Sequence, residues 1–266
     1  RSYSVTGVQT FALPISSKPV KRIPYEQTMK FLPPPPQNGW PHIWIDAERP
    51  MMHGNLIMPQ GFYTEFRIKI HEAQMVAKKK IRKTMKEFES AFGRGYGNGL
   101  VEPYKADDAE VLLMSVGGIA KQAEDAVDVA RQQGYKAGAV RIRTYRPFPT
   151  EDLLKYARKC QYIGVVDRAI CYGSPTAGPI STELMAVCQR DETAKNTHIV
   201  PFVAGLGGRD VTLQEQVNQI KLLFEYKEKG IEPNTNEKIF GTFWTGLLGN
   251  KTSCMEPRTE DYYGDI

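Results

Sequence analysis

Apolar positions along the chain change period near residue 107. Between residues 64 and 92, Phe66, Ile70, Ala73, Ala77, Ile81, Phe88 and Phe92 recur close to every 3.6 residues, which predicts one long helix. Thr64 stands where an N-cap is expected, and Gly93, Gly95, Gly97 and Gly99 are expected to stop the helix and form a mobile loop. From residue 107 strand-like and helix-like runs alternate. Val111–Val116 is a short apolar run ending in Gly117-Gly118. A helix follows over 119–133, with Ala120, Ala123, Val127 and Ala130 on one side and Gly134 closing it. Residues 137–145 read as a strand, with Val140 and Ile142 at period two. Thr150 is expected to cap a helix reaching Cys160, with Glu151 and Asp152 in its first turn, where the helix dipole favours acids. Strands over 162–166 and 198–204 and helices over 180–188 and 212–226 complete the pattern. Thr212 and Glu215 have capping-box spacing. Four strand–helix pairs predict an α/β fold: an open, mostly parallel sheet with helices on both faces.

The flanks read differently. Residues 17–62 are rich in proline and aromatic residues, including Pro33-Pro34-Pro35-Pro36, Trp40-Pro41 and Trp44. Such a run is extended, and its tryptophans favour a connector packed over a domain surface rather than a free linker. Val5-Thr6-Gly7-Val8-Gln9-Thr10-Phe11-Ala12-Leu13-Pro14-Ile15 resembles a translated sequencing adapter, which would give the same run with Cys in place of Phe11. Residues 1–16 are therefore expected to be an artefactual or disordered leader to a chain truncated upstream. The 231–266 tail has little periodicity, and Ile239, Phe240, Phe243, Trp244 and Leu247 are expected to dock it onto a neighbour.

Charge narrows the function classes. The formal net charge is +5, but residues 64–94 hold nine Lys/Arg and four Asp/Glu, so one segment carries the whole excess. Its cluster Lys78-Lys79-Lys80, Arg82, Lys83 and Lys86 has no interleaved stacking aromatics, so a solvated or subunit-facing surface is preferred over nucleic-acid binding. No window of about 18 apolar residues marks a membrane span. Cys160, Cys171, Cys188 and Cys254 are widely spaced, without a C-x-x-C pair. That excludes a disulfide scaffold, a local zinc knuckle and an iron–sulfur cluster held by this chain alone, and it suits a reducing cytoplasm.

In an open parallel sheet, ligands bind beyond the carboxyl ends of the strands. Four loops fall there: Gly117-Gly118, Tyr145 to Pro149, Asp167-Arg168 with Gly173 and Gly178, and Gly205 to Asp210. Neither a G-x-G-x-x-G after the first strand nor a P-loop lysine motif is present, so the glycines read as tight turns and close packing before they read as a phosphate cradle. Asp167 and Arg168 read as a structural ion pair or subunit contact ahead of acid–base catalysis. Arg146 is placed to clamp a carboxylate from a partner domain or a substrate. Arg209 and Asp210 divide in the same way. His42, His53, His71 and His198 share no ligand spacing, and Cys171 has no matching His. Catalytic, cofactor-binding and metal-ligating residues are therefore all expected to be absent, and Arg146, Asp167, Arg168, Arg209 and Asp210 are candidate interface residues.

Taken in order, these loops carry a resemblance. Tyr145-Arg146-Pro147-Phe148-Pro149, Val165-Val166-Asp167-Arg168 and Gly205-Leu206-Gly207-Gly208-Arg209-Asp210-Val211 resemble the alpha subunit of 2-oxoacid:ferredoxin oxidoreductases. So do Gly93-Arg94-Gly95-Tyr96, Val101-Glu102-Pro103-Tyr104 and Asp107-Asp108-Ala109-Glu110 upstream, and Phe31-Leu32-Pro33 at what resembles the exit of that family's first domain. The resemblance covers about residues 17–230. It implies a truncated first-domain exit and connector over 17–63, a long basic helix and Gly-rich loop over 64–106, and an α/β domain over 107–230 that resembles the transketolase C-terminal domain.

The resemblance also implies an activity for the intact enzyme: oxidative decarboxylation of a 2-oxoacid, with pyruvate favoured, to an acyl-CoA. Its cofactors would be thiamine diphosphate, magnesium, iron–sulfur clusters and coenzyme A. Its partners would be further subunits of beta, gamma and delta type, with ferredoxin as electron acceptor. The family's cofactor and substrate residues have no matching positions here, so this part is expected to be architectural and inert alone. A stand-alone nucleotide-binding α/β module is the alternative, and a nucleic-acid-binding protein using the basic helix is a third reading.

Overall fold

The computed structural model describes residues 22–32, 57–174, 178–230 and 242–247. The 1–16 leader, residues 33–56 of the Pro-rich stretch with Trp40, Trp44, His42 and His53, and most of the tail with Ile239, Phe240 and Cys254 lie outside the described residues. The chain divides into two units, residues 1–54 and 55–266. In the first, the described part is a short helix α1 (Tyr25–Phe31), none of whose residues is buried.

The second unit begins with α2 (Tyr63–Phe92), thirty residues in one helix. It starts one residue before the expected cap: a turn in which Gly61 N–H donates to Met58 O (3.0 Å) leads the chain in through Phe62, and Thr64 makes no cap. Gly93 ends it in the left-handed region (φ 65°), the conformation that glycine adopts without steric cost. The following loop, expected to be mobile, is pinned. Asn98 Oδ1 accepts from Leu100 and Val101 N–H at 2.9 Å each, and its amide donates to Asp152 (2.6 Å).

Next come β1 (Val101–Tyr104), β2 (Val111–Val116), α3 (Gly117–Gln132), β3 (Ala137–Ile142), α4 (Thr150–Ala157), β4 (Tyr162–Asp167), α5 (Pro179–Gln189), β5 (His198–Val203), α6 (Leu213–Lys229) and β6 (Phe243–Trp244). The strands form one sheet in the order β1-β3-β2-β4-β5-β6. Only β1 is antiparallel, running against β3. Strands β2 to β5 are the four expected; β1 and β6 extend the sheet at its two edges. Strand β3 stops at Ile142, short of Tyr145, because Arg143 and Thr144 N–H both turn to Leu100 O (2.8 and 3.2 Å). Helix α4 stops at Ala157, where Lys159 and Cys160 N–H both close back on Tyr156 O. Its N-cap position is taken by Pro149, so Thr150 is the first helical residue and not the cap.

Successive strand residues face opposite ways, so each strand feeds two cores. Leu113 and Phe202 join Ala123, Ala126 and Val127 of α3 and Val217, Ile220 and Leu223 of α6. Leu112, Met114, Ile163 and Val165 join Leu153 and Leu154 of α4 and Ile180 and Leu184 of α5. Helices α3 and α6 therefore cover one face, and α4 and α5 the other. Phe243 of β6 is fully buried in the first core, so this part of the tail docks on its own sheet and not on a neighbour. Gly164 sits between Phe202, Leu223 and Leu113 with no room for a side chain. The Thr212–Glu215 capping box forms as expected: Thr212 Oγ1 accepts from Glu215 N–H (3.2 Å), and Glu215 Oε2 accepts from Thr212 N–H (2.7 Å). Thr212→Ala should cost about 1 kcal/mol in urea unfolding, and an unchanged midpoint would contradict the cap.

Candidate interface at the carboxyl ends of the strands

The chain order β2, β3, β4 places β3 on one side of β2 and β4 on the other, so connections leave in opposite directions between β2 and β4. This is the position at which open α/β sheets present a crevice. Strand β2 enters α3 without an intervening loop, because Gly117 (φ 73°) turns the chain directly into its first helical turn. Val116 gives that turn no side-chain cap. A Cβ on Gly117, Gly118, Gly207 or Gly208 would meet nothing within 4 Å. Of the tight turns and close packing expected here, the turns are present at Gly117, Gly207 and Gly208, all at positive φ, but the glycines border open space and not a close neighbour.

The Tyr145–Pro149 run crosses to α5. Tyr145 O–H donates to Glu183 Oε1 (2.8 Å), and Arg146 Nη1 donates to Glu183 Oε2 (2.8 Å) while Nη2 bonds Glu183 Oε1. The Arg146 guanidinium also lies 4.1 Å from the centre of the Tyr145 ring, and Phe148 meets that ring edge-on at 5.9 Å. The carboxylate that Arg146 clamps thus comes from its own chain. Burial and the Glu183 carboxylate push the Tyr145 hydroxyl up to about 12. Over half of the Arg146 side chain remains exposed, so Arg146→Ala should cost at most about 1 kcal/mol in urea unfolding, and a larger loss would mean the pair is buried in solution.

Asp167 departs furthest from expectation. It is fully buried, and its partners are neither a cation nor another subunit. Oδ1 accepts from Ile180 N–H (3.0 Å); Oδ2 accepts from Ser181 N–H (3.0 Å) and from the Ser181 hydroxyl (2.9 Å). Asp167 caps α5 from inside the fold, where the helix N-terminus stabilises negative charge. Burial nevertheless holds its carboxyl above the usual range, against the pull of the Ser181 and Ile180 hydrogen bonds. Gly178 packs directly on this carboxylate. Asp167 is therefore corrected from interface residue to internal cap.

Arg168 points outward, and its Nε–H donates to Gly205 O (2.9 Å), joining the loops after β4 and β5. Arg209 is half-buried and donates to Gly246 O (2.6 Å), fastening the segment that holds β6. Asp210 is exposed. Among them stand apolar side chains in water: Val116, Leu213 and Tyr172, the last 90% exposed. Beneath the rim, Gln216 Nε2 donates to Ile119 O in the first turn of α3 (3.0 Å), and Gln219 Nε2 donates to Thr245 Oγ1 (2.9 Å). Glu183, Ser181, Gln216 and Gln219 had no sequence signal as site residues, since each acts through a partner distant along the chain.

The remaining candidates fall away from chemistry. Cys160 and Cys188 are buried, which raises both thiols to about 11, far from the thiolate a nucleophile needs. His198 opens β5 and stacks on Tyr162, with ring centres 4.7 Å apart. Among the described residues no three His, Cys, Asp or Glu side chains group so as to hold a metal ion, and no helix is long and apolar enough to cross a membrane.

Residues 109–216 match pyruvate:ferredoxin oxidoreductase core domain II. The pyruvate synthase subunit PorA of Pyrococcus horikoshii is 33% identical over 227 residues, covering 85% of this chain and 55% of that subunit. Residues 109–216 are thus a core domain II of this oxidoreductase family, and most of the chain is similar to its alpha subunits. The ketoisovalerate oxidoreductase subunit VorA of the same organism is 34% identical over 86% of this chain and 55% of its own length. The chain thus spans about half the length of the curated relatives it matches. A solved 2-oxoglutarate:ferredoxin oxidoreductase from Magnetococcus marinus overlaps 46% of this chain and 19% of its own, at 16% identity and a TM-score of 0.34. The matched domain II spans β2 to the first turn of α6, so the crest of loops described above belongs to it.

Proposed function

We propose that this chain is the domain II portion of the alpha subunit of a thiamine-diphosphate-dependent 2-oxoacid:ferredoxin oxidoreductase that forms an acyl-CoA, with pyruvate the favoured 2-oxoacid, and that it braces an active site assembled elsewhere. The observation that carries this reading is the character of the crest. It sets exposed Arg146, Arg168, Asp210 and Tyr172 beside open glycine turns, while its one buried carboxylate, Asp167, is engaged in holding a helix. Such a rim suits contact with other domains or subunits, with Arg146, Arg168, Arg209 and Asp210 as contact residues. The described residues provide neither a metal-ligand group nor a cradle with phosphate-motif spacing for thiamine diphosphate and magnesium, and no set of cysteines for a cluster, so no step of the reaction is assigned to them.

The test compares the chain alone with the complex recovered by co-expression with the polypeptides that carry the rest of the active site, including the other part of the alpha subunit. The complex should reduce ferredoxin in a 2-oxoacid- and coenzyme-A-dependent manner, and the chain alone should not. The paired charge reversals Arg168→Glu and Asp210→Lys should lower recovery of the complex about tenfold, while the melting temperature of the chain falls only by the small amount that loss of the Arg168–Gly205 hydrogen bond costs. Unchanged assembly would remove both residues from the interface. Heat released on titrating nucleotides into the chain alone would replace the subunit reading with a free-standing nucleotide-binding module.

A further inference from the structure

Helix α2 is about 45 Å long at 1.5 Å per residue, and none of its thirty residues is buried. Its halves differ. From Ala77 onward, half-buried positions recur at Ala77, Ile81, Met85, Phe88 and Phe92, one face at helical spacing. That face packs on its own unit, with Ile81 and Met85 closing over Gly99 and Phe88 tilted against Tyr96 at 6.0 Å. Towards the N-terminus the same face continues through Ala73, Ile70 and Phe66, while Ile68 and Met75 lie on the opposite side and Val76 lies between. Every residue from Thr64 to Val76 is exposed, and the large apolar ones range from 39% for Ile70 to 69% for Val76. Ile57, Met58 and Phe62, which lead into the helix, are exposed as well. One apolar stripe is therefore packed over its second half and bare over its first.

A half-helix of this length is marginal in water by itself, and an apolar stripe on it has a purpose only when covered. Within 64–76, Arg67 and Lys69 balance Glu65 and Glu72; the charges at the end of that half, from Lys78 on, indicate what covers it. Lys78, Lys79, Lys80 and Lys86 form no ion pair with a described residue, while Arg82 is held by Asp152 (2.7 Å) and Lys83 faces Glu87 (3.8 Å). A second copy laid along the whole helix would bring eight further Lys/Arg against four Asp/Glu to the first, so like charge opposes self-association.

We propose that the Phe66–Val76 half of α2 is a docking face for another polypeptide of the same enzyme assembly, one that lays an apolar stripe along it and sets Asp and Glu against Lys78, Lys79 and Lys80 at its end. The inference rests on the enzyme-subunit reading and deepens it, because it places a second contact surface away from the crest of loops. The free half extends the face that already packs on the sheet unit, and the lysines beside that junction set the sign of the partner's charge.

Hydrogen–deuterium exchange on the chain alone and on the co-expressed complex tests this. Amides of residues 64–76 should exchange rapidly in the chain alone and be protected about a hundredfold or more in the complex. Phe66→Ser with Ile70→Ser, both at exposed positions, should leave the melting temperature of the chain in place and lower recovery of the complex about tenfold. Lys78→Glu with Lys79→Glu and Lys80→Glu should weaken assembly most at low salt. Protection of these amides in the chain alone would assign the cover to this chain itself. A concentration-dependent dimer of the chain abolished by the Phe66/Ile70 variant would assign it to a second copy. Co-sedimentation with phosphatidylserine vesicles lost in that variant would assign it to a lipid surface. Each of these, or rapid exchange persisting in the complex, overturns the proposal. Failure of the subunit reading is distinguishable: the unaltered chain then forms no complex with 2-oxoacid-dependent ferredoxin reduction, and the present inference falls with it.

Discussion

Gly178→Ala is expected to destabilise the chain by about 3–5 kcal/mol, one of the largest effects of any single methyl group in this fold. The backbone at Gly178 is extended (φ −103°, ψ 154°), a conformation open to every L-residue, so the loss is steric and not conformational. A Cβ there would lie within 3.0 Å of the Cβ, Cγ and Oδ2 of Asp167. Asp167 cannot retreat, because it is fully buried and tied to Ile180 and Ser181. Gly207→Ala is the control. It adds a methyl group facing open space at φ 65°, and about 1 kcal/mol of left-handed backbone strain is all it should cost. Urea unfolding of the two variants at constant m separates the effects, and equal losses would show that the Gly178–Asp167 contact is absent in solution.

Asp167→Ala should cost about 3 kcal/mol, since it strands two buried amides at the start of α5 together with half of the Ser181 hydroxyl's bonding. The carboxylate also gives stability a defined pH dependence. Burial raises its folded-state pKa above the unfolded value, so the folded chain binds this proton more readily than the unfolded chain does. The stability due to this group is fully present below the unfolded pKa, is lost as pH rises through the folded pKa, and stays level above it. Asp167→Asn removes that slope. The difference in unfolding free energy between wild type and Asp167→Asn, followed upward from about pH 4, should change in the direction that disfavours wild type. Oppositely shifted carboxyls such as Asp191, held low chiefly by its hydrogen bond from Arg158, cancel in the difference. A flat difference would mean that Asp167 is solvated.

The two variants address a residue that the chain's pattern showed clearly and whose role it did not show. Asp167 ends a continuous apolar run, which marks it as the last residue of a buried strand. Whether a strand-terminal acid turns outward to a subunit or inward to a helix depends on where α5 begins, and Gly178 and Pro179 lie eleven and twelve positions further on. Arg146 gives the same lesson in reverse. Its capacity to grip a carboxylate follows from its chemistry, but the carboxylate belongs to Glu183, 37 residues away on a helix brought alongside by the sheet.

Local rules succeeded where the physics is local. The Thr212–Glu215 box and the Gly93 and Gly134 helix ends each involve groups within a turn of one another, and all three formed. The rules failed at Thr64 and Thr150, where a residue able to cap lay two places and one place past the N-cap of a helix whose start was set by the preceding turn or by Pro149. Strand β1 escaped notice for a related reason. Val101–Tyr104 is four residues long and contains Glu102 and Pro103, too short and too polar to declare itself, and it is a strand only because β3 offers an edge.

Sequence by itself determined the alternation of strands and helices, the parallel α/β class, the location of the net positive charge in one segment, and the likeness to the oxidoreductase alpha subunits through its ordered loop motifs. These properties depend on side-chain periodicity, turn chemistry and composition, which act over a few residues. Tertiary structure alone decided that Asp167 faces inward, that Glu183 receives Arg146, that Phe243 returns to complete the first core, and that one apolar stripe on α2 is half covered and half bare. Those outcomes depend on which surfaces meet after the chain has closed on itself. Burial and hydrogen bonding between distant residues determine them, and the order of residues along the chain carries no measure of either.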